Sequence, residues 1–194
     1  NRISGINVTV PFKKSIIPYL DELDLRAEKT ESVNTLVKAD NKIVGYNTDE
    51  PGFELTVQNF FLENDSQYKN VFILGAGGVT NSIICALKKF KTKITLSNRT
   101  IKKAHALNKL HPEIKTIDWG KRPSTFDIII NTTSIGLKSN ERIDLDFGDC
   151  EGDKKKIFYD LIYNPKETNF LKEARTRGNH VINGQKMFLN QAMF

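Results

Sequence analysis

The chain has 194 residues, 39% of them hydrophobic and 27% charged, and a formal net charge of +6. This composition fits one or two folded cores and excludes a disordered or collagen-like chain. No apolar run is long enough for a bilayer-spanning helix, and two isolated cysteines, Cys85 and Cys150, exclude a disulfide framework and fit a reducing cytoplasm.

In chain order, residues 6–10 alternate, with Ile6, Val8 and Val10 on one face and Asn7 and Thr9 on the other. The pattern predicts a half-buried strand that Pro11 ends. Ile16, Ile17, Leu20 and Leu23 follow at helical spacing. "VNTLVKADNKIVGYN" reads as a hairpin turning at Asp40-Asn41, and Phe53, Val57, Phe60 and Phe61 predict a helix after Asp49. The polar stretch "NDSQYKN" at 64–70 predicts a domain boundary. The unalternating run "VFIL" predicts a strand buried on both faces, followed by a helix burying Val79, Ile83, Leu87 and Phe90. "ITL" at 94–96, a helix over about 101–110, "DIIIN" at 127–131 and "IFYDLI" at 157–162 continue the alternation. Strands alternating with helices give an α/β chain built of parallel βαβ units. The chain opens on Asn1 inside such a pattern and ends at Phe194 in a helical one, which predicts a fragment.

The positive surplus suits an anionic small ligand. Basic and aromatic residues do not interleave as an RNA-binding sheet requires, and Lys154 to Lys156 reads as a solvated basic face. His105, His111 and His180 lack ligand spacing, so no metal is expected. "VFILGAGGVTNSI" sets Gly75, Gly77 and Gly78 between a strand and a helix. Such a turn lets backbone approach a pyrophosphate at a helix N-terminus, and it predicts a Rossmann-type dinucleotide site. Thr80 stands where Gly or Ala is usual, which predicts slightly looser helix–strand packing. The second strand ends in Ser97-Asn98-Arg99-Thr100, about 20 residues beyond the first glycine, without the acid that bonds an NAD ribose. Arg99 offers a planar fork and Lys103 a further charge, so NADP is predicted over NAD. Polar candidates for a reacting cleft cluster upstream: Asn7, Thr9, Lys13, Asn34, Thr35, Asn47, Thr48 and Asp49. No Ser-His-Asp order or Tyr-x-x-x-Lys pair accompanies them.

"GINVTVPFK", "SVNTL", "GYNTDEPGF", "LGAGGVTNSI", "SNRT", "DIIINTTSIGL", "YDLIYNP" and "NGQKMFLNQA" stand in this order. Together they resemble the shikimate dehydrogenase family along essentially the whole chain. The resemblance implies an NADPH-dependent, reversible reduction of 3-dehydroshikimate to shikimate in aromatic amino acid biosynthesis. It implies a catalytic pair, Lys13 and Asp49, with Lys13 shuttling the proton and Lys14 merely solvated. Thr9, Asn34, Thr48, Tyr163 and Gln191 would hold substrate. Gly75, Ala76, Gly77, Gly78, Val79, Asn98, Arg99, Thr100 and Lys103 would hold the NADP phosphates and ribose, with Thr133, Leu161 and Gly184 near the nicotinamide. The implied organisation is a partial substrate domain over 1–66, an NADP-binding domain over 67–183, and a final helix over 184–194 that returns to the substrate domain. Only small-molecule partners are expected, with no nucleic acid or membrane, for a monomer or homodimer. A quinate/shikimate dehydrogenase of broader specificity and a non-catalytic NADP-binding relative stay open at this point. The departures from the family are an absent upstream strand bearing two substrate-gripping serines, Glu31-Ser32 in place of Gly-Ala, Glu50 in place of a glycine, and Gln185 in place of a leucine. Glu50 would favour the helix N-terminus or set negative charge near an anionic substrate.

Overall fold

A computed structural model describes residues 3–62, 70–147 and 156–194, which build two sheets. The first holds β1 (Gly5–Asn7), β2 (Glu22–Leu23), β3 (Thr35–Ala39) and β4 (Lys42–Tyr46), in the order β1-β3-β4-β2. β1 and β4 flank β3 antiparallel, and β2 joins β4 in parallel. The β3–β4 turn falls at Asp40-Asn41 as expected. Both residues take positive φ, 46° and 65°, as a two-residue hairpin turn with the strand's own twist requires.

Upstream of the hairpin the structure departs from the sequence reading. β1 stops at Asn7, and one more ladder bond, from Val8 N to Asn34 O (2.8 Å), closes the pairing. Ile6 and Val10 are exposed (52% and 71%), because β1 is an edge strand and no described element covers it. The helix predicted from Ile16 to Leu23 is a run of turns ending in a 3-10 turn at Ile17–Tyr19, and Leu23 sits in β2. Pro18 lacks the N–H that a continuing helix needs. The real helix, α1 (Leu25–Thr30), comes later, capped by Asp24, whose carboxylate accepts from Ala27 N (2.9 Å). α1 ends on Glu31 in the left-handed region (φ 47°). A glycine there would avoid about 1 kcal/mol of backbone strain. The Glu31 carboxylate pairs instead with the exposed Lys14 (2.6 Å), an interaction worth little at the surface.

α2 (Asp49–Leu62) leads toward the second sheet. The expected boundary at 64–70 lies outside the described residues, save Asn70. Six strands follow: β5 (Asn70–Leu74), β6 (Lys93–Ser97), β7 (Lys115–Ile117), β8 (Ile128–Asn131), β9 (Ile157–Asp160) and β10 (His180–Ile182). They are parallel throughout, in the order β10-β9-β8-β5-β6-β7. α3 (Thr80–Lys88), α4 (Ile101–Leu110), α5 (Asn169–Thr176) and α6 (Gln185–Gln191) complete the chain. β7, β10 and α5 are short elements that the sequence reading did not single out.

The sheet is buried on both faces, as the continuous apolar runs require. Val71, Ile73, Ile128, Ile130 and Ile157 pack on one side with Ile83, Ile84 and Leu87 of α3 and Phe53 and Val57 of α2. Phe72, Leu74, Ile129 and Phe158 point the other way, into a cluster with Phe126, Phe147 and Phe170. Lys156 is not the solvated lysine expected of the basic run. Its Nζ donates to Phe126 O (2.8 Å) and lies 4.9 Å from the Phe126 ring centre, while Lys154 and Lys155 fall outside the described residues.

Candidate active site

Strand order reverses between β5 and β8, and in open parallel sheets ligands settle in the crevice beyond the strands' C-terminal ends at such a point. Gly75 follows β5, Asn98 to Thr100 follow β6, Thr133 follows β8, Leu161 follows β9 and Gly184 follows β10. The residues expected to hold cofactor therefore share one edge of the sheet.

The glycine turn is built tightly. Gly75 has φ 110°, and a β-carbon on it would lie 2.5 Å from Thr132 Oγ1. A β-carbon on Gly184 would lie 1.9 Å from Leu161 O, so only glycine lets α6 begin against β9's end. Around Gly77 there is nothing within 4 Å, leaving open ground above the start of α3. Thr80 does not loosen the turn. It is fully buried, its hydroxyl accepts from Gly77 N (3.0 Å), and it lies 2.9 Å from Thr132 Oγ1, which donates to Leu74 O (2.9 Å). Asn98 accepts from Ala76 N (3.0 Å) and donates to Thr100 O (2.8 Å), so its side chain shapes the loop from within. The N–H groups of Gly78 and Val79 keep no partner among the described residues, at the positive end of α3. Arg99 and Lys103 are exposed beside this loop and form no ion pair among the described residues. Two free amides, an open glycine and two cations fit the phosphates of NADP.

A cleft of about 420 Å³ opens between the two sheets. From the first domain it is lined by Asn7, Thr9, Lys13, Asn34 and Asp49, and from the second by Val79, Leu161, Tyr163 and Gly184. α6 adds Met187, Phe188 and Gln191. Lys13 Nζ lies 2.6 Å from Asp49 Oδ2, with side chains only 12% and 7% exposed. The lysine's backbone is strapped in place by Val33 N donating to Lys13 O (2.8 Å). Asn34 is held by both of its ends: Oδ1 accepts from Thr48 N (2.9 Å), and Nδ2 lies 2.9 Å from Thr48 Oγ1 and 3.3 Å from both Asp49 Oδ1 and Gln191 Oε1. Asn34 thereby joins Asp49 to α6.

Two expected contact residues sit behind this surface. Thr48 is buried outside the cleft lining, where its hydroxyl donates to Gln191 Oε1 (3.1 Å). Thr133 also lies outside the lining, with its hydroxyl donating to Asn131 Oδ1 (2.7 Å). Glu50 faces away from the cleft. It is 2% exposed and pairs with Lys89 (3.0 Å), so its charge does not confront an anionic substrate.

Several residues at the site escaped the sequence reading. Phe188 stacks on Tyr163 at the cleft mouth, ring centres 4.6 Å apart. Gly52 brings α6 against α2: a β-carbon there would lie 2.6 Å from Gln191 Cβ. A glycine inside a predicted helix was the available signal. Asp160 is fully buried and accepts from Thr168 Oγ1 (2.6 Å), Ile162 N and Asn131 Nδ2 (each 3.0 Å). It ties the loop bearing Tyr163 to the loop bearing Thr133. Burial pushes its carboxyl up to about 6, against these hydrogen bonds.

The shikimate dehydrogenase substrate binding domain family matches residues 1–36, and the shikimate / quinate 5-dehydrogenase family matches residues 57–168. The shikimate dehydrogenase (NADP(+)) of Pelagibacter ubique (strain HTCC1062) is 53% identical over 192 residues, 98% of this chain and 71% of the relative. The crystal structure of shikimate dehydrogenase from Aquifex aeolicus superposes with a TM-score of 0.84 at 36% identity, covering 97% of this chain and 69% of that one. The Thermus thermophilus shikimate 5-dehydrogenase in complex with NADP(H) and shikimate gives a TM-score of 0.83 at 26% identity, over 98% and 70% of the two chains.

Proposed function

The chain belongs to the shikimate dehydrogenase family, and we propose that Lys13 and Asp49 carry its NADP-dependent interconversion of 3-dehydroshikimate and shikimate. The observation that supports this most is the Lys13–Asp49 pair, 2.6 Å apart and nearly buried in a cleft that both domains line. Bound NADPH supplies the hydride that reduces the carbonyl carbon. Lys13 Nζ donates a proton to the carbonyl oxygen as negative charge develops there, and it accepts the hydroxyl proton in the reverse direction. Asp49 Oδ2 holds the ammonium in line, while Oδ1 accepts from Asn34 or from a substrate hydroxyl. Thr9, Asn34, Tyr163 and Gln191 present hydroxyl, amide and phenol groups to the substrate's hydroxyls and carboxylate. Thr48 supports Asn34 and Gln191 from behind.

The phosphate loop from Gly75 to Val79 and the Asn98-Arg99-Thr100 turn hold the cofactor, with Arg99 and Lys103 taking the 2′-phosphate. Leu161 and Gly184 wall the nicotinamide end, and Thr133 supports it. The domains divide near residues 66–67, and the helix over 184–194 belongs with the substrate domain. We read the protein as a cytoplasmic enzyme, a monomer or homodimer with small-molecule partners.

The test is shikimate-dependent reduction of NADP, followed by absorbance and run on the chain carrying the upstream segment its relatives have. NAD and quinate serve as controls. Turnover with NADP and shikimate, weakened at least tenfold by NAD or by Arg99→Ala, is expected. Tight NADP binding without turnover would favour a non-catalytic relative, and equal rates with quinate would favour the broader enzyme.

A further inference from the structure

The first turns of α3 do more than follow the phosphate loop. Asn81 and Ser82 are both buried, at 5% and 0% exposed, and both reach across to the other domain. Asn81 Nδ2 donates to Thr30 O (2.6 Å) at the end of α1. Ser82 Oγ accepts from Asn47 Nδ2 (3.0 Å). Asn47 is the junction of this seam. Its Oδ1 accepts from Glu50 N (3.0 Å), capping the helix that begins with Asp49, and its Nδ2 also donates to Ser32 O (2.8 Å), two residues before Asn34. Three residues before Asn81, a β-carbon on Gly78 would lie 3.7 Å from Lys13 Cβ, so the phosphate loop abuts the lysine's stem. His111 braces Asn81 from behind, with Nε2 2.6 Å from Asn81 Oδ1.

From this seam we infer that Asn47, Asn81 and Ser82 are positioning residues, which fix the distance between the phosphate loop and the Lys13–Asp49 pair. The inference rests on reading that pair as the reacting one. None of the three lines the cleft, so none touches substrate. Their effect is geometric: the domain that holds the hydride donor is registered against the domain that holds the proton donor. A misplacement of about 1 Å between reacting groups lowers rate by as much as about 100-fold.

The decisive variant is Ser82→Ala. It removes one partner of Asn47 Nδ2 and leaves the Ser32 bond and the helix cap in place. The expected result is kcat lower by about 10- to 100-fold, with the shikimate KM and the NADP Kd within about threefold of the parent. A second readout is independent of turnover. NADP Kd is measured by fluorescence titration with and without saturating 3-dehydroshikimate, an oxidised pair between which no hydride can pass, and the ratio of the two values should move toward one in the variant, because the sites are linked through the seam. Asn47→Ala loses both donated bonds and the helix cap together, and should show the same signature more strongly beside a lower melting temperature. A fall in melting temperature with unchanged kcat and unchanged Kd ratio would overturn the inference. Lys13→Met, run alongside, separates the two readings. Full activity there sinks the catalytic pair, whereas an inactive Lys13→Met beside a wild-type-like Ser82→Ala sinks only the seam.

Discussion

Two lysines stand side by side at 13 and 14, and their surroundings give them opposite fates. Lys14 is 71% exposed and meets Glu31 in solvent, while Lys13 is 12% exposed and meets Asp49 inside the cleft. Lys13→Met keeps the apolar stem that packs near Gly78 and deletes only the ammonium. Its kcat should fall by about 10²- to 10⁴-fold, the usual worth of a positioned proton donor, with NADP affinity nearly unchanged. Lys14→Met should leave both values at the parent level. Steady-state kinetics with a cofactor titration checks both. Asp160 makes a different kind of prediction. Its folded-state carboxyl sits near 6 against an ordinary value of 3.8, because burial disfavours its charged form. A carboxyl raised on folding binds its proton more tightly in the native state. Its contribution is therefore most favourable below about pH 4 and is lost as pH rises through 6, a swing of about 3 kcal/mol. Asp160→Asn can still accept from Ile162 N and Asn131, with its amide turned toward the Thr168 hydroxyl, and it carries no such titration. Urea unfolding between pH 4 and 8 should show the parent losing stability relative to the variant over that window. Parallel pH profiles would refute the assignment.

Elements make contacts that single residues do not announce. α2 and α6 cross so closely that a β-carbon on Gly52 would fall 2.7 Å from the backbone of Gln191. In an isolated helix, Gly→Ala adds about 1 kcal/mol of stability. Here the sign reverses, because α6 must retreat from α2 and overpacking costs about 1–3 kcal/mol. Gly52→Ala should lower the melting temperature by roughly 2–10 °C and raise the shikimate KM, since Gln191 and its bond to Asn34 move with α6. A variant with unchanged KM would show that α6 adjusts without moving Gln191. The sequence announced elements where local chemistry was decisive. The Asp40-Asn41 turn, the strand "VFIL" and the helix over 101–110 stand where alternation, apolar runs and turn residues placed them, and the run "IFYDLI" holds a strand over its first four residues. It misled before Leu25, where apolar spacing looked helical but Pro18 broke the hydrogen-bond ladder and Leu23 was taken into a strand beside β4. α1 is six residues long, too short to carry a periodic signal, and shows only its Asp24 cap.

At the scale of the whole molecule, the legible and illegible parts of the site divide by sequence distance. The phosphate loop and the cofactor turn are local motifs, while Lys13 and Asp49 stood among eight polar candidates and were paired by the family resemblance. Gln191 against Asn34, Asn190 against Thr56 and Ser82 against Asn47 join positions 157, 134 and 35 residues apart, and no periodicity encodes which helix face meets which. Only the closed topology brings them together, and the same contacts bear on how the molecule unfolds. α2 packs on α3 and α6 together, and the buried seam bonds cross from one sheet to the other, so the two domains should melt as one unit. In the proposed site NADP is held by the parallel-sheet domain alone. If the domains are coupled, cofactor at about 100 times its Kd stabilises the whole fold by about 2.7 kcal/mol and moves a single transition upward by roughly 5–11 °C. If they are not, calorimetry will resolve two transitions, and only that of the parallel-sheet domain will move. Ser82→Ala belongs in the same experiment. By weakening the seam without touching either core, it should broaden the single transition toward two, and a sharp, fully shifted transition in that variant would place the coupling in the α2–α3 packing instead.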